Sequence, residues 1–189
     1  MNVESTFDAR QAQRVGNFLQ LVNWIGHRLG SDGPPLVDMP ALRSLPKGTL
    51  GHAWVQHLAD TGLESFCEGS RRLQLHDGLH VLTGYGTDPV GEAEVQAFLM
   101  GAKLRAVHVL LLLGLLRMIK RQRRCKRIQL NGAEVQSRLL HAYGRGRDSD
   151  FDPDTWQPEK QWQDSLADVQ AAFGIRRSSE MVAYHPLTP

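Results

Sequence analysis

Two histidines one helical turn apart, with carboxylates close to both, are the residues of this sequence best suited to chemistry. The stretch His76-Asp77-Gly78-Leu79-His80 is followed by eleven further residues and then by Glu92. On a helix, positions i and i+4 lie about 40° apart around the axis, so His76 and His80 can bind one divalent ion. Asp77 can reach the same ion or orient a histidine, and Glu92 can serve as a ligand or as a general base.

Nitrogen and oxygen donors in this combination suit zinc first, with iron, manganese or magnesium as alternatives if coordination positions stay open. The same side chains could instead form a hydrogen-bonded polar patch where helices meet. A metalloprotease is disfavoured because Asp77 stands where that class has glutamate. A phosphohydrolase of the His-Asp type would need further, separated ligands that the sequence does not identify. His52 and His57 are interpreted as ordinary partly buried, hydrogen-bonded or exposed histidines.

The elements around the motif should hold it in the interior. An apolar stripe on the same helix is formed by Leu75, Leu79 and Leu82. Glycines in residues 84–89 permit a sharp reversal, and Asp88 before a proline is typical of a helix start. Glu92 would then lie in the first turn of a new helix that packs back against the motif.

Helical periodicity recurs along the chain, and no segment shows the alternation of a strand. Helices are predicted over residues 9–29, 40–45, 50–62, 70–83, 89–120, 131–143 and 158–174, with a loop at 144–150. We therefore expect an all-α fold. It would be a single-domain helical bundle of six to seven helices over residues 1–189, with a long central helix at 89–120 and mobile tails at 1–8 and 178–189.

Composition narrows the class of protein. The chain has 189 residues, 41% of them hydrophobic, which is enough for one good core. A net charge of +2 gives no general argument for nucleic-acid binding. With only Cys67 and Cys125, a disulfide framework is disfavoured and a reducing compartment is favoured. The acidic N-terminal residues argue against a secretory signal, so we expect a cytoplasmic protein.

An apolar run at residues 107–116 leads directly into a cationic cluster at residues 117–127. The run is shorter than the roughly 20 residues that cross a bilayer. It could be a buried central helix, or the two segments together could contact anionic lipid headgroups. Nucleic-acid binding is disfavoured because the cluster has no interleaved aromatic side chains.

The sequence resembles the coenzyme Q biosynthesis protein 4 family. Its signature, His-Asp-x-x-His-(x11)-Glu, is similar to the stretch from His76 to Glu92, and a second family segment resembles Leu45-Pro46-Lys47-Gly48-Thr49-Leu50-Gly51. The last helix, ending at Phe173-Gly174-Ile175, is similar to the C-terminal part of the family. The spacing between the two motifs and the N-terminal residues favour a bacterial-type member over a mitochondrial one.

The resemblance implies a helical fold with a divalent metal bound by His76, Asp77, His80 and Glu92. It implies peripheral association with the inner face of the membrane, a long-chain prenylated quinone precursor as ligand, and decarboxylation or hydroxylation at C1 of the head group. Asp77 and Glu92 are then the candidate catalytic residues. Other quinone-biosynthesis proteins and a second copy of this chain are the expected partners, with no nucleic acid. The alternative is a non-catalytic isoprenoid-binding scaffold.

Overall fold

A computed structural model describes residues 36–62 and 71–175, and the regular secondary structure in these ranges is helical. The helices are α1 Met39–Arg43, α2 Leu50–Thr61, α3 Arg71–Gln74, α4 His76–Thr83, α5 Pro89–Ala102, α6 Ala106–Arg124, α7 Gly132–Arg147 and α8 Leu166–Ala172, with a 3-10 turn at Pro158–Lys160. Thr49 and Ser165 form an isolated bridge, so the described ranges hold no strand. The all-α prediction is confirmed. The predicted helix at 9–29 and the predicted tails lie outside the described residues.

Side-chain caps explain where several helices begin. The Thr49 hydroxyl accepts from the backbone N–H of His52 at the start of α2, and Asp88 accepts from two backbone N–H groups at the start of α5. Asn131 and Glu134 form a reciprocal capping box at the start of α7. The starts predicted at Asp88 and Asn131 are therefore confirmed.

The predicted long central helix over residues 89–120 is wrong, because the chain breaks between α5 and α6. Lys103 and Arg105 both adopt extended backbone conformations. The Lys103 ammonium lies 2.8 Å from carboxylate oxygens of both Asp152 and Asp154, and Arg105 also pairs with Asp154. These contacts accompany a reversal that lets α6 pack back against α5.

The loop predicted at residues 144–150 is also largely wrong, because α7 continues to Arg147. A Cβ atom at Gly146 would lie 2.0 Å from the carbonyl oxygen of Phe98, and one at Gly101 would lie 2.1 Å from that of Tyr143. Glycine is thus required at both positions because the backbones of α5 and α7 meet there. The glycines that make this segment resemble a loop allow a close helix crossing instead.

A continuous apolar core joins α1, α2, α4, α5 and the segment that leads to α8. Trp54 is fully buried, stacks on Trp156 at 6.1 Å between ring centroids, and meets Trp162 edge-on at 5.0 Å. The last helix is shorter than predicted: Ser165 caps α8, so Trp162 precedes the helix. Even so, Trp162 packs against the core as a partly buried side chain.

Helix α6 has one buried and one exposed face. Leu111, Leu115 and Ile119 are buried, whereas Leu110 and Leu113 are 67% and 45% exposed. The exposed face continues toward the C-terminal end of α6 through Arg117, Lys120, Arg121 and Arg124. None of the helices in residues 36–62 and 71–175 is long and apolar enough to cross a bilayer.

Candidate metal centre

The predicted site residues lie on two adjoining helices in the interior. His76, Asp77 and His80 are on α4, and Glu92 is in the first turn of α5. Their exposed fractions are 8%, 2%, 2% and 3%, respectively. All eight residues of α4 are buried, so the polar side chains of the motif are carried inward with its leucines.

Close packing explains the glycine inside the motif. A Cβ atom at Gly78 would lie 2.1 Å from atoms of the Trp54 indole and 2.9 Å from the Trp156 indole. Only a residue without a side chain lets α2 pack this closely on α4. The contact fixes α4 in rotation, so the faces that carry His76 and His80 are set by the aromatic core.

The turn after α4 returns the chain to the same site. Gly84 ends α4 in the left-handed conformation, with φ 76°, as a glycine cap commonly does. A Cβ atom at Gly91 would lie 2.0 Å from the carbonyl oxygen of Gly86, so the first turn of α5 rests directly on the turn backbone. This contact delivers the neighbouring Glu92 to the histidines.

Buried side chains also secure the C-terminal carbonyls of α4. Gln170 donates to the carbonyl oxygen of Leu82 at 2.8 Å, and Arg145 donates to that of Thr83 at 3.1 Å. The Arg145 guanidinium also lies 4.9 Å from the ring centroid of Tyr85. Helix ends leave carbonyls without intrahelical partners, and these contacts satisfy two of them inside the protein.

Three donor groups converge. The Nε2 atoms of His76 and His80 are 3.2 Å apart, and each lies 3.2 Å from a different oxygen of Glu92, Oε2 for His76 and Oε1 for His80. Bonds of about 2.0–2.1 Å would place neighbouring ligand atoms about 3.3 Å apart around a tetrahedral ion and about 3.0 Å apart around an octahedral one. The observed spacing fits a divalent ion in either geometry.

Hydrogen bonding around the three donors also fits a metal ion. His80 Nδ1 lies 3.1 Å from the carbonyl oxygen of Tyr85, which can only accept, so Nδ1 carries a proton and Nε2 is the nitrogen that faces the site. Asp77 Oδ2 is buried without a hydrogen-bond partner among the described residues, and Glu92 Oε2 is buried against the His76 imidazole, 3.2 Å from its Nε2. A cation would satisfy such oxygen atoms.

The two carboxylates differ in acidity. Burial alone would raise the pKa of Glu92, but the neighbouring imidazoles, His76 first, outweigh it and lower the pKa to about 2. Burial raises the pKa of Asp77 to about 6, with His76 and His80 opposing the change and Glu92 adding to it. Burial would lower the pKa of His76, but Glu92 and then Asp77 raise it overall. Glu92 is therefore a permanent anion, while Asp77 can exchange a proton near neutral pH.

The structure brings together His76, His80 and Glu92, whose ligand atoms all lie within 4.8 Å of one another. Asp77 lies beside this group, close enough to interact electrostatically with all three, but it is not one of the converging donors. Its direct ligation of an ion stays a prediction.

The interpretation of His57 as an ordinary histidine missed its place beside the site. Its ring on α2 stacks on that of His80, 5.6 Å between centroids and 12° between planes. His57 Nε2 is buried without a hydrogen-bond partner among the described residues. Burial first, and then His80, lowers the pKa of His57 to about 4. The sequence shows that His57 lies three residues after Trp54, on the same helix face, but no spacing relates it to the motif.

Comparison with solved structures shows a likeness in fold. No family model matches this chain, and no curated protein matches it. The fold is similar to the crystal structure of a "Putative ubiquinone biosynthesis protein" from Nostoc punctiforme PCC 73102, with a TM-score of 0.59 and 20% sequence identity. The likeness covers 88% of this chain and 82% of that one. At this identity, the comparison establishes that the two proteins share a fold.

Proposed function

We propose that this protein is a metal-dependent protein of ubiquinone biosynthesis that binds a prenylated head-group precursor and acts at C1 of its ring. The observation that carries the proposal is the convergence of His76, His80 and Glu92 at mutual distances of 3.2 Å inside the protein. The pathway is supported by the resemblance of the motif to the coenzyme Q biosynthesis protein 4 family and by the fold shared with the Nostoc protein.

The environments of the site residues suggest a separate role for each. His76, His80 and Glu92 would hold the ion, which when bound stabilises negative charge that develops on the head group. Loss of a carboxyl group as carbon dioxide leaves an electron pair on the ring carbon that must take up a proton. Asp77, buried beside His76, His80 and Glu92, is placed to supply that proton. Replacing the carboxyl group by a hydroxyl would additionally consume an oxidant such as dioxygen.

An apolar groove supports binding of the prenyl tail. A cavity of about 530 Å³ lies between α5, α6 and α7, and its lining includes Met100, Leu112, Leu116, Leu139 and Tyr143. Lys120 and Arg123 also line it. An isoprenoid chain would bury its apolar surface there.

The exposed face of α6 supports attachment to a membrane surface. Leu110 and Leu113 stand beside Arg117 and Arg121 along this face, and α6 contains no acidic residue. Exposed leucines can enter the acyl region while arginines contact anionic headgroups. Attachment at this surface would bring the protein to its ligand, because a prenylated precursor resides in the membrane.

Burial of the site favours a second candidate, a non-catalytic isoprenoid-binding scaffold with a structural metal. The four motif residues are at most 8% exposed, and structural sites are closed whereas catalytic sites keep an open position. Asp77 Oδ2 is buried without a partner among the described residues, and this favours a catalytic site over a structural one.

The experiment compares the wild type with Glu92→Gln. The control is Glu159→Gln, which removes a carboxylate from the partly exposed ion pair between Glu159 and Arg71. Elemental analysis should find one divalent metal in the wild type and control and much less in Glu92→Gln. A prenylated phenol with a labelled carboxyl group should release labelled carbon dioxide only with the metal-loaded proteins. Absence of divalent metal from the wild type would contradict the proposal, while lipid binding without turnover would favour the scaffold.

A further inference from the structure

His57 flanks the metal centre from a helix outside the motif. Helix α2 is locked to α4 by the packing of Trp54 on Gly78, and His57 lies three residues further along α2. Its ring stacks on that of His80 with 12° between planes. Its Nε2 is buried and has no hydrogen-bond partner within residues 36–62 and 71–175. The nitrogen is therefore held beside the centre with its hydrogen-bonding capacity unused.

The geometry argues against His57 as a direct metal ligand. Imidazole lone pairs lie in the ring plane, so two histidines on one ion direct their planes to a common point. His76 and His80 do so, with planes 86° apart and Nε2 atoms 3.2 Å apart. The stacked planes of His57 and His80 run side by side, and His57 is not among the donors within 4.8 Å of one another.

We propose that His57 hydrogen-bonds an oxygen atom of the ligand held at the metal centre and so selects ligands with an anionic oxygen, such as a carboxylate or phenolate. This inference rests on the proposed metal site. Anionic oxygens accept hydrogen bonds and cannot donate them, and an imidazole N–H at Nε2 is complementary to that requirement. His57 is then a ligand-binding residue that contributes little to holding the ion itself.

The test uses the full chain loaded with cobalt(II), whose visible absorption reports on its ligands. Wild type, His57→Phe, which keeps an aromatic ring, and His57→Gln, which keeps an N–H donor, are titrated with benzoate and with phenol. His141→Gln, at an exposed position on α7, is the control. We expect cobalt(II) affinity within about threefold of wild type in every variant. Benzoate affinity should fall about tenfold or more in His57→Phe and recover substantially in His57→Gln.

Several outcomes overturn the inference. If His57→Phe binds each probe as tightly as the wild type does, His57 recognises no ligand oxygen. The same conclusion follows if the wild type responds to neither benzoate nor phenol. A fall in cobalt(II) affinity of more than tenfold in His57→Phe would make His57 a metal ligand instead. Failure of the wild type to bind cobalt(II) would contradict the proposed function itself. Circular dichroism checks the fold, and His57→Ala replaces His57→Phe if the larger ring perturbs it.

Discussion

The carbonyl oxygen of Gly86 lies 2.0 Å from the position that a Cβ atom at Gly91 would occupy. The turn after α4 and the first turn of α5 are thus in backbone contact, and the residue next to this contact is Glu92. The site is positioned by a junction in which no side chain intervenes.

Gly91→Ala should therefore separate α5 from the turn and move Glu92 away from the histidines. We expect zinc affinity to fall at least tenfold, measured by competition with a chromophoric chelator, together with lower stability. Gly114→Ala is the matched control, because a Cβ atom there meets nothing within 4 Å. It should retain zinc affinity and raise the free energy of unfolding by about 0.5–1 kcal/mol. Unchanged zinc affinity in Gly91→Ala would mean that the junction does not position Glu92.

Gly78→Ala should destabilise the protein by about 1–3 kcal/mol or more, since the added methyl group would overlap the Trp54 indole. Urea unfolding measures the loss. Adding Trp54→Phe removes the outer part of the indole that lies nearest Gly78, so the double variant should lose less than the sum of the two single changes. If the losses of stability in the two single variants add up in the double variant, the contact with the Trp54 indole is not the reason for glycine at position 78.

Asp77→Asn should stabilise the metal-free protein while impairing function. The folded pKa of about 6 lies above the reference value of 3.8, so Asp77 contributes stability below pH 3.8 that is lost as pH rises through 6. At pH 7.5 the buried charge then costs about 3 kcal/mol at most, and its removal should raise the free energy of unfolding by about 1–3 kcal/mol. Urea unfolding in chelator should show this gain shrinking toward pH 4. A loss of stability at pH 7.5 would contradict the account.

Metal affinity should depend on pH through His76. Its pKa is raised above 6.5, and a protonated imidazole cannot ligate, so binding must displace a proton. Zinc affinity should fall about five- to tenfold from pH 6.5 to pH 5.5, since displacement of one proton gives at most tenfold per pH unit, with circular dichroism confirming that the fold persists. In the metal-free protein, the stability that protonated His76 contributes is present below pH 6.5 and is lost as pH rises through its folded pKa. The stabilisation by zinc should therefore grow with pH, and a pH-independent zinc affinity would contradict the assignment.

Reversing charge on α6 should weaken membrane binding. The change Arg117→Glu with Arg121→Glu removes two exposed cations beside Leu110 and Leu113. Co-sedimentation with vesicles containing 30% phosphatidylserine as a probe should show about tenfold or greater loss, at roughly 1 kcal/mol for each basic residue. Arg43→Glu with Lys47→Glu, at exposed positions elsewhere, is the matched control and should lose little. Equal losses of vesicle binding in the two double variants would indicate a general electrostatic effect. If the α6 variant instead lost self-association, the face would be a contact between copies of this chain.

Much of the site could be predicted because its signals are local. The histidine spacing, the glycines of the turn and the Asp88 cap are close together in sequence, and they suffice to return Glu92 to His76 and His80. His57 was missed because its role depends on the packing of α2 on α4. No spacing rule joins it to residues more than fifteen positions away.

The errors in the predicted fold also arise from contacts between residues that are distant in sequence. The break at Lys103 is accompanied by pairing with Asp152 and Asp154, 49 and 51 positions along the chain, while the local sequence there gives no strong stop signal. Gly146 has the composition of a loop but is required for contact with Phe98 on another helix. Local patterns predict where helices begin more reliably than they predict which helices touch.

The crossing of α5 and α7 at Gly101 and Gly146 has a mechanical consequence for the apolar groove. Backbones in direct contact have no side chains between them that could change rotamer, so these two helices form a stiff frame. Helix α6, the third wall, joins this frame through the extended residues around Lys103, where the tethering ion pairs are partly exposed. The groove can therefore widen chiefly by movement of α6, the same helix that carries the exposed leucines and arginines.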